Sequence, residues 1–452
     1  MRRWLERLRR KRLVLLGAGV GLALAAWLLS SLLTPLPDPW LEALHKRGYP
    51  ASAAELDAWY VAVPPAENVA LFYTNAFSSL SNSSGPITNL MIKSWLPPIG
   101  QGLSAEDRNE LQAVLADKAH ALRLLHSAPS SGRSRYPINL QDGPATLVPH
   151  LYKIKQGVSL LSAEGLLHAT DGNAEGATRA FLAAGRLADS VSEEPLIISQ
   201  LVRYAAWAIL LPRLERALSL TPFTDDQLAS LQKLIAEAER PRAAARGWAG
   251  DQAIHLSLYT DRKMLREALR TTGSSRSKAG NWLVLAGVGL FRASGFMEKD
   301  RAYFCEQMGR GQAAFELPYP ARFAACEQLA NLTNVPNRLF FFSKVLLPAV
   351  GNYHLRDADH VALVRVAVTA LAIERFRLAH TNALPDSLEQ LSPSCCRAVP
   401  SDPYNGKPLR YKIHGASYAV YSVGSDGQDD GGVTWATTYA KIPQDIAFVV
   451  KH

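Results

Sequence analysis

The residues best suited to chemistry in this chain sit together near its C-terminal end: Ser425-Asp426-Gly427-Gln428-Asp429-Asp430-Gly431-Gly432. Calcium takes about six to eight oxygen ligands at modest geometric precision, and clustered carboxylates with glycine-freed carbonyls supply them. Asp426, Asp429 and Asp430 are therefore the candidate calcium ligands, in a spacing that is not an EF-hand's. An ion-free surface turn explains the same composition, because Asp and Gly suit tight turns on their own. His354, Asp357, Asp359 and His360 form the one dense cluster of transition-metal ligand types. On a helix the two histidines project about 120° apart, which argues against a compact site and for an ordinary helix start. Glu193-Glu194 and Glu374 are acids that could be buried, and none has an evident partner in sequence. Nucleophile-elbow, P-loop and His-Glu-x-x-His patterns are absent, so no catalytic or cofactor-binding residue is assigned.

The cysteines Cys305, Cys326, Cys395 and Cys396 have neither zinc-site nor Cys-x-x-Cys spacing. Cys305 and Cys326 could staple two neighbouring helices, and the bland alternative is idle thiols. An oxidising compartment would favour the disulfide.

The elements around these residues read mostly as helices. Residues 34–103 are rich in proline and then in serine and glycine, which predicts a spacer followed by loop. Ser104 opens a helix with acids in its first turn, and Leu111, Val114, Leu122 and Leu125 follow at helical spacing. Two apolar stripes, Leu151 to Ala169 and Ala174 to Val191, flank the turn Asp171-Gly172-Asn173. This unit is similar to a tetratricopeptide-type hairpin, without a second copy at fixed period. Thr224-x-x-Gln227 predicts a capping box. A long apolar helix runs from Asp359 to about His380, and Leu409–Ile413 and Tyr418–Val423 alternate as strands, predicting a β-meander against that helix.

The first residues set an address for the rest. Residues 1–12 carry seven basic side chains and one acidic one, ahead of an apolar run from Leu13 to Leu33 without an ionisable group. A run of this length spans a bilayer, and the basic flank stays cytoplasmic, so the bulk of the chain is expected on the far side of an inner membrane. An uncleaved signal-anchor is favoured over a signal peptide, because apolar sequence continues past the small-residue site at Ala23–Ala25. Of the net charge of +9, the flank holds +6, so the pI near 9.3 does not indicate a nucleic-acid surface.

Residues 356–452 resemble the globular part of the major pseudopilin of type II secretion systems. The resemblance rests on Glu374-x-Phe376-Arg-Leu378, Leu384-Pro385-Asp386-Ser387-Leu388, Pro400-Ser-Asp402-Pro403-Tyr-Asn-Gly406 and Tyr418-x-x-Tyr421-Ser-x-Gly424-Ser-Asp426-Gly427. It implies a small α+β fold, and a calcium ion in the loop that holds Asp426. The pilin processing motif is missing from the N-terminus, so polymerisation is not implied. The whole chain is similar to membrane-anchored bacterial proteins of no assigned activity.

The expected architecture is a basic flank (1–12), an anchor (13–33), a spacer (34–103), a mainly α helical body (104–355) and a pseudopilin-like module (356–452). The expected function is an envelope scaffold or binding protein, with a protein or peptide partner on the helical body. The alternatives are an envelope hydrolase whose site forms only in three dimensions, or an accessory part of a secretion or pilus-like machine.

Overall fold

The structure, a computed structural model, describes residues 39–81, 96–261, 289–329, 340–432 and 445–452, with Ala26, Leu265 and Val335 singly. The expected anchor, apart from Ala26, lies outside the described residues. Among the described residues no helix is long and apolar enough to cross a membrane.

The stretch expected to be a spacer and loop holds three α-helices among its described residues, while residues 96–103 are loop as expected. Helices α1 (Pro39–Lys46), α2 (Ala53–Trp59) and α3 (Val69–Ser81) occupy it. Proline marks helix entrances as well as breaks, and here Pro39 begins α1 while the Ser52 side chain caps α2 by accepting from the Glu55 amide. Tyr73, Ala76, Phe77 and Leu80 of α3 are buried in the main core, which corrects the spacer reading.

The next elements follow the local signals closely. Helix α4 (Ala105–Asp117) is capped by Ser104, and α5 (Ala119–His126) continues from it. Helices α6 (His150–Thr170) and α7 (Ala174–Asp189) form the expected hairpin. Its turn needs Gly172 at φ 74°, a left-handed conformation that costs glycine little. Asn173 then accepts from the Gly176 amide to start α7. Helix α8 (Ile197–Leu218) packs on α6 and buries Trp207 completely. Helix α9 (Asp225–Glu237) opens with both halves of the Thr224–Gln227 capping box.

A second apolar cluster is built from α10 (Ala243–Thr260), α11 (Phe296–Phe315), α12 (Ala321–Glu327) and α13 (Phe341–Val350). Helix α14 (Tyr353–Ala379) joins the two regions, its start in this cluster and its middle packed on α9. The sheet is an antiparallel meander of β1 (Arg410–His414), β2 (Ser417–Ser422) and β3 (Ile446–Val450), laid on α14. Sequence reading anticipated the first two strands and missed β3. One apolar core runs across the 355/356 boundary: Leu228, Leu231 and Ile235 of α9 share it with Val364, Leu371, Tyr418 and Phe448. The mainly helical class with a small C-terminal sheet is what the chain adopts.

Candidate functional site

The Asp-rich loop is organised by its own hydrogen bonds. Asp426 Oδ1 accepts from the Gln428 amide at 3.1 Å, and Asp429 Oδ1 accepts from the Gly431 amide at 3.0 Å. Asp429 Oδ1 also accepts from the Tyr421 hydroxyl at 2.9 Å. Burial would raise the Asp429 pKa, but these bonds and the nearby Lys412 and Arg410 charges outweigh it and hold it below the usual value. Gly427, Gly431 and Gly432 take positive φ, so the turn depends on glycine. Among the described residues no three His, Cys, Asp or Glu side chains form a group able to hold a metal. Asp445 is the informative neighbour. Its Oδ2 accepts from the Gly432 amide, its Oδ1 is buried without a partner among the described residues, and burial raises its pKa.

His354, Asp357, Asp359 and His360 all lie on α14, and the structure assigns them to separate tasks. Asp357 Oδ1 accepts from Tyr204 at 2.8 Å, while Oδ2 accepts from Tyr319 at 2.6 Å and from Arg322 at 3.1 Å. His360 stacks on the Tyr204 ring at 4.6 Å and its Nε2 lies 3.2 Å from the Ala238 carbonyl. Burial, aided by the Arg203 charge, lowers its pKa to about 3, so the ring is neutral and Nε2 is the donor. Asp359 instead accepts from Tyr404 at the module's side of the helix. His354 packs by Phe323.

Glu194 is fully buried between His150, whose Nε2 is 3.0 Å from Oε2, and Ser199, which donates to Oε1. Tyr136 stacks on His150 at 4.3 Å. A serine hydrolase places its histidine between hydroxyl and carboxylate; here the carboxylate lies in the middle and receives both donors. Ser199 thus has no imidazole base, and the trio holds the loop between α7 and α8. Gln200 completes that loop by donating to three of its carbonyls, those of Val191, Ser192 and Glu194. Glu193 points outward to an ion pair with Arg246. Glu374 also has partners: Tyr418, Arg377 and His452 all donate to it or lie within hydrogen-bond reach. No disulfide links the four cysteines to one another, so the staple between Cys305 and Cys326 is not made. Burial pushes the Cys326 thiol up to about 12, which leaves it unreactive.

A surface concavity of about 630 Å³ opens where α2, the start of α10 and the end of α11 meet. Tyr49 and Trp59 give it aromatic faces with the buried Phe315 behind them, and Arg242, Arg246 and Arg322 give it positive charge against one acid, Glu316. Arg246 lies over the Trp59 ring at 5.1 Å. Arg322 is buried and spent on Asp357 and on the Pro241 carbonyl. Glu316 accepts from Tyr49. Gln312 donates from Nε2 to Tyr49, and its Oε1 is buried without a partner among the described residues. None of these residues was singled out from sequence. The one legible signal was Arg242 and Arg246, a turn apart in Pro241-Arg-Ala-Ala-Ala-Arg246.

No family model, curated protein or solved structure matches this chain.

Proposed function

We propose that this protein is a membrane-anchored binding or scaffold protein of the cell envelope, with residues 13–33 as its anchor and its helical body as the docking part. The observation that carries this reading is how the ionisable groups are used. Glu194, Asp357 and Glu374 are each saturated by structural donors in the interior. The open concavity meanwhile offers aromatic faces and guanidinium groups, the side chains that dominate recognition surfaces. A hydrolase would need an acid–base pair presented in that cleft, and its one acid, Glu316, accepts from Tyr49. The pseudopilin resemblance supplies the fold of the C-terminal module and no filament role.

The envelope placement is tested by alkaline phosphatase fused after His452. The expected result is an active enzyme in intact cells, with the Arg-rich terminus retained by mass. An inactive fusion would remove the envelope placement.

Calcium belongs to the same proposal. Asp445 Oδ1 is buried without a partner among the described residues and feels the charges of Asp429 and Asp430, and a calcium ion would have to draw these carboxylates and Asp426 together from the separate positions they hold. An ion bound only by the folded chain, at a hundredfold over its dissociation constant, stabilises by about 2.7 kcal/mol. Millimolar calcium is therefore expected to raise the melting temperature of the full chain over a chelator control, with magnesium a poor substitute. Asp426→Ala should blunt the rise. An unchanged melting curve would make the loop an ordinary turn.

A further inference from the structure

A second cleft, about 420 Å³, neighbours the groove that Tyr49 and Trp59 line, and the Glu193–Arg246 ion pair joins the two linings. Its walls are the start of α3, the ends of α7 and α9, and the loop 129–134. The loop is pinned to α3, where the Val69 amide donates to the Arg133 carbonyl at 2.9 Å. Arg186, partly buried on the α7 wall, has no ion-pair or hydrogen-bond partner among the described residues. Asp189 lies three residues on, on the same helix face, but its oxygens are already taken. One accepts from Arg203 at 3.1 Å and the other from Arg240 at 2.6 Å. Three guanidinium groups thus share one carboxylate, and the exposed Arg133 adds a fourth from the loop. The partial negative charge at the end of α7 offsets only about half a unit of this excess. Of the other acids on the lining, Glu193 is held by Arg246 and Glu237 is exposed.

Two hydroxyls stand ready beside that charge. Tyr73, 2% exposed, and Ser192, 6% exposed, both line the cleft, and neither hydroxyl has a hydrogen-bond partner among the described residues. Neither oxygen is sealed from solvent, so each can donate into the cleft. Burial pushes the Tyr73 hydroxyl up to about 12 against the pull of the Arg186 charge, so at neutral pH the phenol keeps its proton and donates.

We propose that this cleft binds a phosphate monoester: Arg186 takes two phosphoryl oxygens, the Tyr73 and Ser192 hydroxyls donate to the phosphoryl group, and the organic part fills the remaining volume beside Leu234. A phosphoryl group brings about −1.5 to −2 charges at pH 7 and three acceptor oxygens, which suits the guanidinium excess and the two hydroxyls together. A carboxylate brings one charge and two oxygens. The site is separate from whatever the groove docks.

The test titrates the full chain, in a maltoside detergent that carries no phosphate, with glycerol 3-phosphate and with glycerate. The ester is expected to bind about tenfold more tightly than the carboxylate. Tyr73→Phe and Ser192→Ala should each weaken the ester about tenfold, the scale of one hydrogen bond to a charged group. Arg186→Gln should abolish binding and Arg186→Lys should restore part of it. Arg179→Gln, exposed on the same helix and outside the cleft, should change nothing. Vesicles containing phosphatidic acid form a second arm. Binding of the glycerol ester assigns a soluble ligand, and Arg186-dependent binding to these vesicles with none of the ester assigns a lipid headgroup; either supports the phosphoryl site. Equal affinity for glycerate, ester binding unchanged by Arg186→Gln, or no binding in either arm would overturn it. If Arg186→Gln fails to fold by its melting curve, ester binding unchanged in both Tyr73→Phe and Ser192→Ala would overturn it instead.

Discussion

Asp357→Ala is expected to cost about 3–5 kcal/mol of stability, the usual loss when one partner of a buried charge pair is deleted. The carboxylate is the common acceptor for the Tyr204 and Tyr319 hydroxyls and the Arg322 guanidinium. Alanine would strand all three in the interior, with Arg322 left only its bonds to the Leu317 and Pro241 carbonyls. Asp357→Asn keeps the shape and one acceptor, and should lose less. Denaturant unfolding of the full chain measures both. A loss under about 1 kcal/mol for the alanine variant would mean that the network is not what joins α8, α12 and α14.

The second large effect concerns acid. His360 is neutral in the fold, with its pKa lowered to about 3, while the unfolded chain takes up the proton near the ordinary histidine value. Its contribution is thus fully present above about pH 6.5 and is lost progressively as pH falls toward 3, by about 1.4 kcal/mol per unit. His255, lowered to about 4 by burial, acts in the same direction. Glu215 acts oppositely: burial raises it to about 7, so it loses stabilisation as pH rises from about 4.5 to 7. Because these slopes partly cancel, the informative quantity is a difference. His360→Phe keeps the stack on Tyr204 and removes the titration, so the parent should lose stability relative to this variant between pH 6.5 and 4. Parallel stability curves would contradict the neutral, buried assignment.

What was legible in the sequence is what is local. The Ser104 cap, the Thr224–Gln227 box and the Asp171-Gly172-Asn173 turn involve residues within four positions of each other, and each appears where expected. The long helix and the β1–β2 pair were legible for the same reason, through short-period patterning. The polar core was not, because its partners are remote: Tyr204 and Asp357 are 153 residues apart, and His150 and Glu194 are 44 apart. Glu194 and Glu374 were recognised as acids that could be buried, but nothing local names what they touch. The groove is the extreme case, since Tyr49 and Gln312 meet across 263 residues. Residues 39–81 were misread because proline and serine there start helices, and the Tyr73 to Leu80 face that docks α3 was outweighed by composition.

The most direct measurement is site-specific photo-crosslinking in living cells, with the photoreactive residue placed at Leu317 on the groove's rim. Leu147, 80% exposed and outside the groove, is the control. The account predicts a discrete polypeptide adduct from position 317, none from 147, and loss of the adduct in an Arg242→Glu background. Equal labelling from the two positions, or no polypeptide adduct from 317, would contradict it.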